Sequence, residues 1–313
     1  MERITVFVPC YNAEKYIDKM LDSILGQTYK NFKILIVDDG SSDRSKDIIR
    51  EYAVRDKRVV LYENAENQGV ARVRNRGLEL CRSEYIALMD ADDVAPLDRL
   101  ETEVRYLDEH MEIDAVGGRY QLIDEEGKEL PVRLKGVLSD SAIRASMLFY
   151  NPLANGSMMF RSKIIRENNL RYCEQNRTLE DYLFWSEFLR YGKINNLDQV
   201  LQYYRVSETS IECQAQREDR RNRDYCFDLI HENMYQILGI NLKEEEKKLL
   251  KKATHDTSDL KGLSERIQFL KALYYVKRQG RNRDKEFETG LKCVCREYAS
   301  KELKNLLKGI IGK

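Results

Sequence analysis

Asp90, Asp92 and Asp93 stand within four residues of one another, directly after the apolar run Tyr85 to Met89. Carboxylates crowded in this way repel one another unless a cation is present. Hard oxygen ligands suit magnesium or manganese, with phosphate oxygens completing the shell. Two more apolar runs end in groups of interest. Ile4 to Val8 leads into Pro9, Cys10, Tyr11 and Asn12, and Ile34 to Val37 leads into Asp38, Asp39 and Gly40. Turn and cap formation accounts for Ser42 and Asp43, but it accounts poorly for three acids after a buried strand. Other phosphate-binding and nucleophilic devices are missing. The chain has no GxGxxG after a strand, no GxxxxGK[ST] and no GxSxG, which removes the dehydrogenase, P-loop and serine hydrolase classes.

Such groups need a scaffold that brings strand ends together, and the hydrophobic periodicity supplies one. Short β-branched runs at 4–8, 34–37, 59–62 and 85–89 alternate with segments of helical spacing. One of these carries Ile17, Leu21, Ile24 and Leu25, and another carries Leu97, Leu100, Val104 and Leu107. This alternation predicts βαβ units and a mostly parallel sheet flanked by helices, with ligands outside the carboxyl ends of the strands. Past residue 112 the pattern loosens into strands at 115–123, 157–160 and 198–206 and a helix at 179–191. Beyond residue 212 dense Lys, Arg and Glu between apolar positions predict helices. The expected division is an α/β catalytic domain over 1–211 and a helical extension over 212–313.

The 313 residues carry 53 Lys and Arg against 53 Asp and Glu, a balance that argues against a nucleic-acid binder. No apolar run approaches the roughly 20 residues of a membrane span, and Met1 leads straight into a strand pattern. These features set the expectation of a soluble, cytoplasmic protein. Seven scattered cysteines read as reduced thiols, and Cys293-x-Cys295 lacks a second pair at zinc spacing.

Five segments in this order resemble family 2 glycosyltransferases of the GT-A fold. They are Val8-Pro9-Cys10-Tyr11-Asn12, Val37-Asp38-Asp39-Gly40-Ser41-Ser42-Asp43, the stretch ending in Arg74-Asn75-Arg76-Gly77, Met89-Asp90-Ala91-Asp92-Asp93, and Glu180-Asp181-Tyr182-Leu183-Phe184-Trp185. The resemblance extends from residue 4 to about residue 210 and leaves the helical remainder uncovered. It implies an inverting hexosyl- or N-acetylhexosaminyltransferase that uses a UDP-sugar and Mn2+ or Mg2+. Pro9, Tyr11, Asp39, Arg74, Asp90 and Ala91 would then line the nucleotide, with Tyr11 on the uracil and Asp39 accepting from the base. Asp92, with Asp90 and Asp93 close by, would hold the metal.

Asp181 would be the general base toward the acceptor hydroxyl, with Glu180 as the fallback. A second role is open to this pair, because Thr178-Leu179-Glu180-Asp181 also fits a capping box. Many family members carry Tyr-Arg-x-His where this chain has Tyr204-Arg205-Val206-Ser207, leaving Ser207 or Glu208 as substitute ligands. The acceptor implied is a saccharide or lipid-linked glycan in bacterial surface-polysaccharide assembly. Rival readings are a nucleotidyltransferase, which lacks its Gly-rich loop here, and a catalytically silent sugar-nucleotide binding module. Finally, Leu303, Leu306, Leu307, Ile310 and Ile311 recur at helical spacing among Lys301, Lys304 and Lys308. That segment suits either packing on the domain or contact with an anionic membrane.

Overall fold

The computed structural model describes residues 2–131, 136–175, 179–206, 220–255, 260, 262–280 and 284–311. The first half is the expected succession of β1 (Ile4–Cys10), α1 (Ile17–Leu25), β2 (Phe32–Asp38), α2 (Ser45–Arg55), β3 (Val59–Glu63), α3 (Val70–Leu80), β4 (Tyr85–Leu88) and α4 (Arg99–Glu109). β5 (Ala115–Ile123), α5 (Asp140–Ser146), a single 3-10 turn (Asn155–Ser157), β6 (Met159–Arg161), α6 (Ser162–Asn168), α7 (Glu180–Phe188) and β7 (Ile194–Arg205) follow. The strands form a seven-stranded sheet in the order β3-β2-β1-β4-β6-β5-β7. β1 to β4 are parallel, and β6 runs antiparallel to both β4 and β5. β7 closes the far edge parallel to β5.

Register decides where the chemistry lies. Cys10 pairs with Asp38, so β1 and β2 end side by side, and Leu88 at the end of β4 pairs with Phe7. The three loops that leave these strands therefore open on one edge of the sheet. The strands are apolar on both faces, as a sheet covered by helices on both sides requires. Ile4, Val6, Phe7 and Val8 are wholly buried, as are Ile34, Ile36 and Val37. Gly77 is where α3 presses on β1, because a Cβ there would strike the Phe7 ring.

The chain divides into two compact units, Met1–Gly136 with Leu153–Arg223, and Val137–Pro152 with Asp224–Lys313. The second contains α5 and the helices α8 (Arg220–Leu238, mostly within it), α9 (Glu244–His255), α10 (Gly262–Gln279) and α11 (Lys285–Ile311). Residues 137–152 thus lie with the helical unit, whereas the composition shift alone draws one boundary near 211. The reason is packing. α5 buries Ile143 and Ala145 and lies against α11 so closely that a Cβ on Gly290 would stand 3.1 Å from the Ala142 Cα. No helix among the described residues is long and apolar enough to cross a membrane. Cys10, Cys81, Cys173, Cys226, Cys293 and Cys295 are free thiols.

Candidate active site

The β1 and β2 ends are joined by a polar network. The Asp38 carboxylate accepts from the Ser41 N–H at 2.9 Å and from its hydroxyl at 2.5 Å. That hydroxyl oxygen accepts from the Asn12 N–H, and Asn12 Oδ1 accepts from the Ser42 N–H, both at 2.9 Å. Asn12 takes a φ of 50° to make this turn, as Asn tolerates more readily than most residues. Asp38 is therefore a structural acid. Asp39 faces the other way and accepts from Asn64 Nδ2 at 2.9 Å, Gln68 N–H at 3.0 Å and Gly69 N–H at 2.9 Å, which ties down the loop before α3. Gly40 permits that approach, having a φ of 71° and a hypothetical Cβ only 2.7 Å from the Glu66 carbonyl carbon. Tyr11 stands half exposed at the mouth, while Pro9 sits within β1 opposite Val37.

The acid loop after β4 is welded to β7. Asp93 is 1% exposed, and both its oxygens are engaged, one by the Arg205 N–H at 2.8 Å and the other by Gln202 Nε2. Arg205 also donates to the Asp92 carbonyl at 2.8 Å, and its guanidinium lies 4.6 Å from the centre of the Tyr16 ring. Spacing alone places Asp93 with the cation-facing acids; in the structure each of its oxygens also holds a donor from β7. Asp90 and Asp92 are different. Burial pushes Asp92 up to about 6, and the Asp90 charge adds to the effect. A carboxylate penalised in this way by its neighbour is one that a cation would relieve.

Among the described residues no group of three or more His, Cys, Asp or Glu is arranged to hold a metal ion. A pair of carboxylates with substrate phosphates fits the magnesium or manganese habit of keeping few protein ligands. Ser207 and Glu208 lie outside the described residues.

Arg74, 8% exposed on α3, joins this loop to α7. Its Nη1 donates to Glu180 Oε1 at 2.5 Å, and its Nη2 stands 3.5 Å from Asp90. Burial pushes Glu180 up to about 7, opposed by Arg74 and reinforced by Asp181. Asp181 is likewise raised by burial, again against the pull of Arg74. The start of α7 is described from Leu179 onward. Its N-cap is Leu179, left-handed at φ 70° and without a side-chain cap, and Asp181 Oδ1 accepts from the Tyr182 N–H at 2.7 Å. Thr178 lies outside the described residues. Trp185 is wholly buried among Phe160, Phe184 and Phe188, and its Nε1 donates to Asn155 at 3.1 Å.

Several further residues shape this space. Asn75 pairs with both the N–H and the carbonyl of Tyr172, at 2.7 and 2.9 Å. The Tyr172 ring stacks on Phe184 with centroids 4.1 Å apart, and its buried hydroxyl has no hydrogen-bond partner among the described residues. Gly156 lets the backbone pass beside Asp90 and Gln202, both of which a Cβ would strike. Asn75 and Arg205 could be found in advance, from the Arg74-Asn75-Arg76-Gly77 stretch and the Tyr204-Arg205 pair; Tyr172 and Gly156 could not.

Comparison with known proteins follows the same geometry. The family model described as Glycosyl transferase family 2 matches residues 5–168. An uncharacterized glycosyltransferase of Haemophilus influenzae is 36% identical over 210 residues, which span 65% of this chain and 65% of that protein. The putative glycosyltransferase EpsE of Bacillus subtilis is 31% identical over 211 residues, 66% of this chain and 74% of its own. Among solved structures, S. aureus TarS 1-349 in complex with UDP-GlcNAc superposes with a TM-score of 0.68 at 20% identity, over 100% of this chain and 93% of that one. The mannosyltransferase PcManGT of Pyrobaculum calidifontis, solved with GDP-Man and Mn2+, gives a TM-score of 0.53 at 17% identity, over 96% and 87%. At these identities the structural likeness is one of fold.

Proposed function

The chain belongs to glycosyl transferase family 2 and has the GT-A fold, and from that premise we propose that it transfers a sugar from a UDP-sugar to an acceptor hydroxyl by a single inverting displacement. The observation that carries this reading is the Arg74 bridge. An inverting transfer needs a carboxylate on one side of the anomeric carbon and a held diphosphate on the other. Arg74 ties Glu180, the neighbour of the candidate base, to Asp90, the first acid of the phosphate-facing loop.

In this reading Asp181 takes the proton from the acceptor hydroxyl as it attacks, and a mount at the start of α7 keeps it in place. Glu180, held by Arg74, orients the base. Tyr11 stacks on the uracil, and Asp39, whose carboxylate has room for a further donor beyond the loop amides, accepts from the base N–H. Pro9 and Ala91 contribute backbone around the nucleotide. Asp92 with Asp90 would hold Mn2+ or Mg2+, which when bound supplies charge neutralisation for the leaving diphosphate. Asp93 and Arg205 keep that loop in position.

TarS has been solved with UDP-GlcNAc and PcManGT with GDP-Man and Mn2+; both complexes lend weight to a sugar-nucleotide donor. We place donor binding and catalysis in the first compact unit. The acceptor would be a saccharide or lipid-linked glycan on the cytoplasmic side of surface-polysaccharide assembly. The test is incubation with UDP-GlcNAc, UDP-glucose and UDP-galactose, with and without manganese. UDP release supports transfer. Release of the sugar 1-phosphate in place of UDP means nucleotidyl transfer, and binding without turnover means a silent module.

A further inference from the structure

The helical unit carries a surface that the chemistry above does not use. α10 buries Phe269, Ala272, Leu273 and Val276 and turns Ile267, Lys271, Tyr274, Tyr275 and Arg278 outward. These five fall at i, i+4, i+7, i+8 and i+11, one continuous face of the helix. Tyr274 is 56% exposed and Tyr275 43%, with ring centroids 6.1 Å apart. No acid lies on this face. Glu265, at its near end, is turned aside by its 3.0 Å ion pair with Lys252.

A further exposed aliphatic residue lies on the helix paired with α10. Arg266 of α10 is ion-paired with the wholly buried Glu302 of α11, and each has an exposed aliphatic neighbour, Ile267 and Leu303. Charge is segregated in the same sense. From Asp224 to Lys313 there are 19 Lys and Arg against 14 Asp and Glu, although the whole chain is neutral.

We infer that the outward face of α10, together with Leu303 of α11, docks on an anionic lipid bilayer. Tyrosines, whose rings are apolar and whose hydroxyls are polar, suit the headgroup level. Lysine and arginine stems bury along apolar surface while their charges reach lipid phosphates. A soluble polyanion would satisfy the charges and leave Ile267, Leu303 and the two rings in water. A second copy of the same face would bring Lys271 and Arg278 against their own kind. The bilayer meets both requirements together. This placement extends the proposed function, because an enzyme with a lipid-linked acceptor would work at such a surface, but the surface can be tested without any turnover.

The experiment is co-sedimentation of the full chain with vesicles of phosphatidylcholine alone and with 30% phosphatidylglycerol (about a third anionic lipid), at low and high salt. Binding is expected only to the anionic vesicles and is expected to weaken with salt. Lys271→Glu with Arg278→Glu should lower the partition coefficient by at least about 25-fold, taking about fivefold per basic residue. Tyr274→Ser with Tyr275→Ser should weaken it independently while leaving the salt dependence in place. Both variants alter exposed side chains only, so their circular dichroism and UDP release should match the wild type. The inference is overturned if the wild-type chain ignores anionic vesicles or if either double variant binds them undiminished. It also fails if gel filtration shows a dimer that the same substitutions dissolve, since the face would then belong to a second copy. Loss of UDP release by the wild type with vesicle binding intact would strike at the enzymatic reading alone.

Discussion

Replacing Arg74 by Gln removes the cation that opposes burial at both acids of α7. Arg74 is 2.5 Å from Glu180 and 3.5 Å from Asp90, in a site from which water is largely excluded. Two unit charges about 4 Å apart interact by ~4 kcal/mol at an effective dielectric of ~20, or about 3 pK units at 1.36 kcal/mol each. That figure belongs to Glu180; at Asp181, whose ionised form the same cation favours, a rise of up to about 1–2 units in the acidic limb of the rate profile is expected as water enters the space left by the guanidinium. The sign follows from the role of the base. Asp181 works when ionised, burial already raises it, and losing Arg74 raises it further. Activity should therefore fall most at low pH. The ratio of variant to wild-type rate should fall as the pH is lowered from 9 to 6, with about 10- to 100-fold as the limit set by a shift of that size.

Breaking a buried pair costs about 3–5 kcal/mol when the remaining charge persists. Glu180, already near 7, should take up a proton and limit that loss. The assay is UDP release between pH 6 and 9 under saturating donor, beside a thermal melt. Arg74→Lys, which keeps the charge and loses the fork, should return the limb toward its original pH. A rate ratio that is the same at every pH would refute the reasoning and make Arg74 a substrate contact without influence on the base.

Other outcomes follow from single features of the site. Asp181→Asn should fold normally and lose about 10²–10⁴ in turnover, read in the same assay, while full activity would move the base elsewhere. Asp92→Ala should abolish the manganese dependence of UDP binding measured by calorimetry, and unchanged metal-dependent binding would exclude this acid as a ligand. Gly40→Ala meets both a positive φ and the Glu66 backbone, so it should lower stability by about 1–3 kcal/mol and weaken UDP binding through the Asp39 loop. Tyr172→Phe deletes a hydroxyl without a partner among the described residues, so the melting temperature without ligand should hold or rise. A fall of several degrees would mean that the hydroxyl is structurally engaged.

What could be read from the chain divides along local and non-local lines. Strand ends, the turn after β2 and the acid loop after β4 are contiguous in sequence, so residue type and spacing point to Tyr11, Asp39, Asp90 and Asp92 directly. The job of Asp93 is set by Gln202 and Arg205, more than a hundred positions away, and no spacing rule within the loop distinguishes it from Asp92. Tyr172 is placed by Asn75 across 97 residues and by stacking on Phe184. A strand at 157–160 is legible and β6 is found there, but its antiparallel place between β4 and β5 is set by partners that no local pattern names. At the start of α7 the backbone turns through a left-handed Leu179, a conformation that residue type does not announce.

The pairing of α5 with α11 has a consequence for how the chain is made. Residues 137–152 leave the ribosome well over a hundred positions before the helix that buries Ile143, Ala145 and the Met147–Phe149 stretch. The strands and helices on either side of this segment can close on each other earlier, since domains generally fold as units during synthesis. The segment must wait with its apolar side uncovered until the last helix emerges. A nascent chain stalled before Lys285 would thus present a nearly complete sheet with one sticky arm, a natural target for a chaperone. An engineer who trims the helices at the C-terminus would recreate that arm permanently, unless Ile143, Leu148 and Phe149 were made polar in the same step.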